Sequence, residues 1–287
     1  MSLTDRLLHC SIADMSAFLP WTIGGVQIGW LRHDVAEALR GYPSVFSVGS
    51  DAVALKPHLD NFDHRSAAVG DVVRALAERG IVQGWRNEAF AVAASYGETP
   101  LLRIERAAVP VFGVKAYGVH MNGFVRDGDR IKLWIGRRAD NRPIEPGKLD
   151  NMVAGGLPFG LSPMENLVKE CAEEAGIGEE LARRARPVGA ISYRMLHQDL
   201  LRQDTLFLYD LELPADFVPA NTDGEITEFR LMELDEIAAI LNESEAFKYN
   251  VAPVIIDFLV RHGHFRPDQP GYSDLALGLA RLVSPTG

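Results

Sequence analysis

The stretch from Gly155 to Ile177, GGLPFGLSPMENLVKECAEEAGI, decides the fold. It reads as a glycine loop running into a helix. Ser162-Pro163-Met164-Glu165 is a capping box: the Ser162 hydroxyl accepts the amide three residues on, Glu165 reaches back, and Pro163 takes the first helical position at little cost. Gly176 falls where a left-handed cap is wanted. Between these limits Met164, Leu167, Val168, Cys171, Ala172 and Ala175 form one apolar stripe for the core. Glu170, Glu173 and Glu174 project from the neighbouring face, one helical turn apart, where like charges repel and weaken the helix. A hard divalent cation removes that conflict; Mg²⁺ favours carboxylate oxygen, keeps several waters and completes its shell with substrate phosphate. A solvated acidic face, with Lys169 offsetting Glu165 and Glu173, is the plainer reading of the same residues.

Working outward, strands flank this helix on both sides. Ala116 to Val125 and Ile131 to Gly136 are joined through Asp127-Gly128, a strong hairpin signal, and Leu149 to Ala154 enters the glycine loop. After the helix, strands are expected at Val188 to Tyr193, Thr205 to Leu213 and Glu228 to Leu231, then helices at Leu234 to Leu241 and Ala252 to His262. The pattern describes an α/β/α sandwich. Before it, a hairpin about Gly24-Gly25, helices at Asp34 to Leu39 and Val69 to Arg79, and strands at Phe90 to Ala94 and Leu101 to Glu105 describe a smaller α+β unit. The boundary is placed near residue 115, giving an N-terminal α+β domain of unknown role over 1–115 and a second domain over 116–287 that ends in a helix.

The chain of 287 residues carries a net charge of -10 and no Lys/Arg-rich run, so the electrostatic footprint of a nucleic-acid partner is missing. Leu19 to Leu31 is too short to span a bilayer and Val251 to Val260 is broken by Asp257, so a membrane partner is not expected and the cytoplasm is. Cys10 and Cys171, far apart in sequence, read as free thiols of a reducing compartment. Met-Ser-Leu at the start reads as partly an expression remnant. His120, His197, His262 and His264 lack zinc-ligand spacing, and no phosphate-binding GxxxxGK[ST] loop occurs. Oligomeric state is not legible.

Gly155 followed by Lys169-Glu170-Cys171-x-Glu173-Glu174-x-Gly176-Ile177 resembles the signature of the Nudix hydrolases, Gly-x5-Glu-x7-Arg-Glu-U-x-Glu-Glu-x-Gly-U with U apolar. Two positions depart: Leu161 stands where the signature has glutamate, and Lys169 replaces arginine. The stretches LDNMVAGGLPFGLSPMENLVKECAEEAGI, YDLELPADFVPANTDGEI and IIDFLVRHGHFRPDQPGY are similar to the subgroup fused to thiamine pyrophosphokinase in some fungi, with stand-alone plant relatives. The resemblance implies a Nudix sandwich with a mixed sheet, metal held by Glu170, Glu173 and Glu174, and Mg²⁺ (or Mn²⁺ as substitute) as the cofactor. It also implies hydrolysis of a small-molecule organic diphosphate, with thiamine diphosphate or its oxo and oxy derivatives as the substrate class. ADP-ribose, a dinucleotide or an oxidised dNTP is the alternative, and a non-catalytic ligand sensor is the reading from another class.

Glu173 and Glu174 are the expected catalytic carboxylates, and Glu225, in Asp223-Gly-Glu225, is either a further ligand or base from a distant loop or an ordinary turn residue. Arg137 and Arg138 could present a guanidinium fork to the diphosphate; Lys148 and Arg202 are weaker versions of that idea. Gly155 and Gly156 suit a place where backbone approaches metal or phosphate closely, or a tight turn. Trp21, Trp30 and Trp85 are either ring-stacking or core residues.

Overall fold

The computed structural model describes residues 2–10 and 14–283. A first helix, α1 (Leu3–His9), is capped by Ser2, whose side chain accepts from Asp5 while Asp5 reaches back to the Ser2 amide. Next come β1 (Phe18–Ile23), β2 (Val26–Arg32), α2 (His33–Leu39), β3 (Phe46–Val48), β4 (Val53–Leu55), α3 (Phe62–Glu78), β5 (Ala89–Val92) and β6 (Leu102–Glu105). The β1–β2 hairpin turns through Gly24 and Gly25, both at positive φ. Strands β2, β1, β4 and β3 make one sheet, with β1 and β4 parallel, and β5–β6 make a separate ribbon. Their core gathers around Trp21, Phe46 and Phe112; Trp21 is fully buried and its indole N–H donates to the Phe112 carbonyl at 2.8 Å, so packing accounts for it.

The second unit contains β7 (Ala116–Asp127), β8 (Arg130–Arg138), β9 (Leu149–Asn151), β10 (Val153–Gly156), α4 (Pro163–Ala175) and α5 (Glu179–Ala182). It continues with β11 (Arg186–His197), β12 (Leu200–Glu212), β13 (Ile226–Glu233), α6 (Leu234–Glu243), α7 (Val251–Arg261) and α8 (Tyr272–Val283). The sheet is mixed: β12 runs parallel to β7 and its other pairings are antiparallel. Alternation along β12 separates two cores. Leu206 and Leu208 face α7, α8 and α6; Tyr209 and Leu211 face α4. Leu7 and Cys10 pack in the first of these cores beside Leu275, Leu279 and Leu282, so the first helix joins the second unit although it begins the 1–115 segment. Both cysteines are buried free thiols.

One irregularity positions the site. Strands β7 and β8 pair only from Phe124↔Leu133 to Asp127↔Arg130, then part. The expected single strand Leu149 to Ala154 breaks at Met152 to fill the wedge: β9 pairs with β8, and β10 pairs with β7. The break brings Ala154, Gly155 and Gly156 over the middle of α4.

Candidate functional site

Helix α4 forms as its sequence requires. The Ser162–Glu165 capping box is present, Pro163 sits at its first position, and Gly176 closes it at φ 65. Its buried face is turned relative to the apolar stripe. Leu167, Cys171 and Ala175 are buried as expected, but Ala172 is exposed while Asn166 and Glu174 are buried. Positions 166, 170 and 174, four residues apart, therefore line one inward edge beneath β10. Asn166 donates its amide to the Gly156 carbonyl at 3.0 Å, and Glu174 accepts from the Ala154 amide at 2.8 Å.

Glu170 explains Gly155. A Cβ on Gly155 would lie 2.6 Å from Glu170 Oε1 and closer still to the carbons behind it, so only glycine lets that carboxylate rise against the backbone. Gly156 is held open by the other domain: a Cβ there would lie 2.7 Å from Phe90 Cζ and 3.4 Å from the Arg106 guanidinium carbon. Both glycines thus serve close approach.

The three glutamates of α4 do not all bring an oxygen within 4.8 Å of one another, although Glu170 is near enough to act on the charge of both Glu173 and Glu174. Glu173 lies on the solvent edge, its side chain 46% exposed, ion-paired with Lys169 at 2.7 Å. Glu170 also contacts Lys169, at 3.2 Å, but is 13% exposed. Among the described residues, the carboxylates that each bring one oxygen within 4.8 Å of the others are Glu174, Asp223 and Glu225. Asp223, not singled out from the sequence, joins through the loop that follows β12. That loop docks on the end of α4 by backbone hydrogen bonds, Ala220 N–H to the Ala175 carbonyl and Thr222 N–H to the Glu173 carbonyl, both at 3.1 Å. Asn221 and Asp223 then fold it back, accepting from the Gly224 and Glu225 amides. The Asp223-Gly-Glu225 motif carried the only sequence signal for this arrangement.

Burial pushes Glu174 well above the ordinary carboxylate range; the Ala154 amide opposes this, while Glu170, Asp150 and Glu225 add to it. Burial likewise raises Glu170, partly offset by Lys169. Glu225 has one cation, Arg142. Among the described residues, three hard oxygen donors with a single guanidinium among them, one of them buried with only a backbone N–H as hydrogen-bond partner, fit a hard divalent cation.

The guanidinium fork needs correction. Arg138 is buried, and its three nitrogens donate to the Glu145 and Ile144 carbonyls and to Asp150, so it braces the loop after β8 instead of facing a ligand. Arg137 pairs with Asp140 at 2.7 Å and remains partly exposed, and Lys148 donates to the Glu245 carbonyl. Sequence reasoning passed over Arg106, which follows β6. Its guanidinium lies 5.6 Å from the Phe90 ring centroid, pairs with Glu88 and lowers the Glu170 pKa through its charge.

A NUDIX domain model matches residues 116–253, and a domain of unknown function, DUF4743, matches residues 3–116. The chain is 44% identical over 271 residues to Nudix hydrolase 20, chloroplastic, of Arabidopsis thaliana, covering 91% of this chain and 72% of that protein. The chain belongs to the Nudix hydrolase family. Nudix hydrolase 24, chloroplastic, of the same plant is 45% identical over 276 residues, covering 94% of this chain and 75% of the relative. An uncharacterized yeast protein, YJR142W of Saccharomyces cerevisiae, is 31% identical over 264 residues, covering 85% and 76% respectively. As a Nudix hydrolase, the chain acts on phosphoanhydride bonds. No helix among its described residues is long and apolar enough to cross a membrane.

Proposed function

We propose that this Nudix hydrolase is a Mg²⁺-dependent diphosphatase whose substrate is thiamine diphosphate or an oxo or oxy derivative, cleaved to the monophosphate. The observation that carries the metal half is Glu174, a buried carboxylate grouped with Asp223 and Glu225 and given no cation of its own at hydrogen-bonding distance. Glu174, Asp223 and Glu225 would hold the ion, with Glu170 beside them. When bound, the ion neutralises the diphosphate, polarises its phosphoryl oxygens and lowers the pKa of a water. Glu170, little exposed and close enough to Glu174 to act on its charge, would accept that water's proton at a carboxylate oxygen, whereas Glu173 faces solvent. Lys169 holds the Glu170 carboxylate in place. Gly155 lets Glu170 rise against the backbone of β10, and Gly156 lets Phe90 and Arg106 close over it.

The substrate half rests on the resemblance in sequence to thiamine-linked Nudix proteins. The test is a panel of diphosphates incubated with pure protein and Mg²⁺. Monophosphate formed from thiamine diphosphate and its oxo and oxy analogues should exceed AMP formed from ADP-ribose; turnover of the thiamine compounds no faster than background would remove the thiamine reading.

A further inference from the structure

A cavity of about 360 Å³ lies between the two domains, a size suited to a small ligand. The N-terminal side supplies Phe90 and the 95–98 loop; the Nudix side supplies Tyr117 and the 157–161 segment that leads into α4. Its walls are aromatic. Tyr96 packs 5.0 Å from Tyr117 and 4.7 Å from Phe207, yet is 49% exposed, and Phe159, stacked on Phe62, is 37% exposed. Glu98 is the one charged residue in the lining, and the Ser95 hydroxyl holds its carboxylate at 2.6 Å. Leu161, at the position where the family signature has glutamate, is in the same wall.

The cavity joins the carboxylate site through a continuous set of contacts. Phe90 lines it and touches Gly156; Arg106 lies over Phe90 and beside Gly156; Gly155, the next residue, carries Glu170 against its backbone. The Phe159 amide donates to the Ala89 carbonyl at 2.7 Å, tying the two walls together.

We propose that this cavity is the ring-binding half of the substrate site, formed jointly with the N-terminal domain, and that it takes an aromatic heterocycle presenting a positive charge or N–H donors to Glu98. Exposed aromatic faces around a fixed carboxylate suit such a ring by stacking, cation–π attraction and a charge-assisted hydrogen bond. Arg106 meets the diphosphate between ring and metal. The Arg106 part rests on the diphosphatase reading above; the ring subsite does not. On this account Leu161 replaces the signature glutamate because its position faces the ring and not the metal.

Equilibrium dialysis of the full chain against thiamine in EDTA isolates the ring subsite, since neither metal nor phosphate is present. The wild type should bind saturably, Glu98→Gln and Tyr96→Ala should weaken binding about tenfold or more, and Glu174→Gln should leave it unchanged. No saturable binding, or equal binding by all four proteins, overturns the proposal. With Mg²⁺, Tyr96→Ala should raise KM for thiamine diphosphate but not for methyl diphosphate, whereas Arg106→Gln should raise both. Thiamine binding lost in Tyr96→Ala, in a protein that hydrolyses no diphosphate, would sustain the subsite and sink the diphosphatase. Hydrolysis of thiamine diphosphate with equal KM in wild type and Tyr96→Ala would do the reverse.

Discussion

Two buried acids near the junction of β7, β8, β9 and β10 have opposite surroundings. Asp150 is 2% exposed and surrounded by donors: Arg138 at 2.7 Å, Lys248 at 3.6 Å and the Asn151 amide at 2.9 Å. Burial pushes its pKa up, but Lys248, Arg138 and His120 together leave it below the ordinary range. Glu174 is 5% exposed and hydrogen-bonded by the Ala154 amide, and Glu170, Asp150 and Glu225 drive its pKa further in the direction burial already takes it. The fold thus pairs one acid directly with cations and leaves the other, among the described residues, with a backbone N–H as its hydrogen-bond partner and the Lys248 charge acting only from a distance. A buried carboxylate left among like charges is costly to a fold and useful to a site whose cation arrives from solution.

The comparison breaks first under substitution. Glu174→Gln should lower kcat by roughly three to four orders of magnitude, on the order of 4–5 kcal/mol of barrier, while leaving metal-free stability unchanged or raised. Steady-state phosphate release and urea unfolding in EDTA measure the two halves. Asp150→Asn should behave oppositely. It leaves Arg138 and Lys248 buried without their acid, so stability should fall by about 3–4 kcal/mol in a urea titration. If Glu174→Gln were the more destabilised of the two, Glu174 would be a structural acid like Asp150.

Local chemistry made α4 legible. Its capping box, its Pro163 and its Gly176 act within a few residues, and all behave as the sequence implies. The partition of its acids was not legible. Glu170, Glu173 and Glu174 are alike as a pattern, and only the break at Met152, which drops β10 onto the helix, decides that Glu174 turns inward and Glu173 outward. Asp223 reaches the site through hydrogen bonds from the Ala220 and Thr222 amides and the Thr222 hydroxyl to α4, contacts between segments far apart in sequence that no local pattern marks. Arg138 misled for a related reason: end-of-strand position suggested a ligand contact, but its partner Asp150 lies on a neighbouring strand. The β11–β12 hairpin escaped notice because Gln198 and Asp199 take positive φ without a glycine to mark the turn.

The Asp150 side of the comparison also has a pH signature. His120 is buried on β7, hydrogen-bonded to Asn151 at 2.8 Å, and burial together with Lys248 lowers its pKa from 6.5 to about 4. The unfolded chain takes up this proton near the ordinary value and the folded chain does not until about pH 4. Stability should therefore fall as pH drops through that window, by about 3 kcal/mol in total. Urea midpoints measured across the window should show a steeper slope in the wild type than in His120→Gln, the remainder coming from His197 and His264, whose pKa values burial also lowers. Asp150, whose folded pKa is lowered, adds a further loss at lower pH that the variant keeps.

Metal titration tests the Glu174 side with the smallest effect. A ligand that binds only the folded chain stabilises it by about 2.7 kcal/mol at a hundred times its Kd. For a chain of this size that corresponds to a rise in Tm of roughly 4–5 °C. Mg²⁺ should produce the rise in the wild type and in Asp150→Asn, whose carboxylate cluster is intact, and should not in Glu174→Gln or Asp223→Asn. Asp223→Asn is the sharper of the two losses. Asp223 lies outside α4 and outside the family signature, so its effect separates a site formed by Glu174 with the docked 220–225 loop from one formed by the three glutamates of the helix alone. A normal Mg²⁺ shift in Asp223→Asn, with the shift abolished in Glu173→Gln, would move the ion back onto the helix and leave the loop as a structural brace.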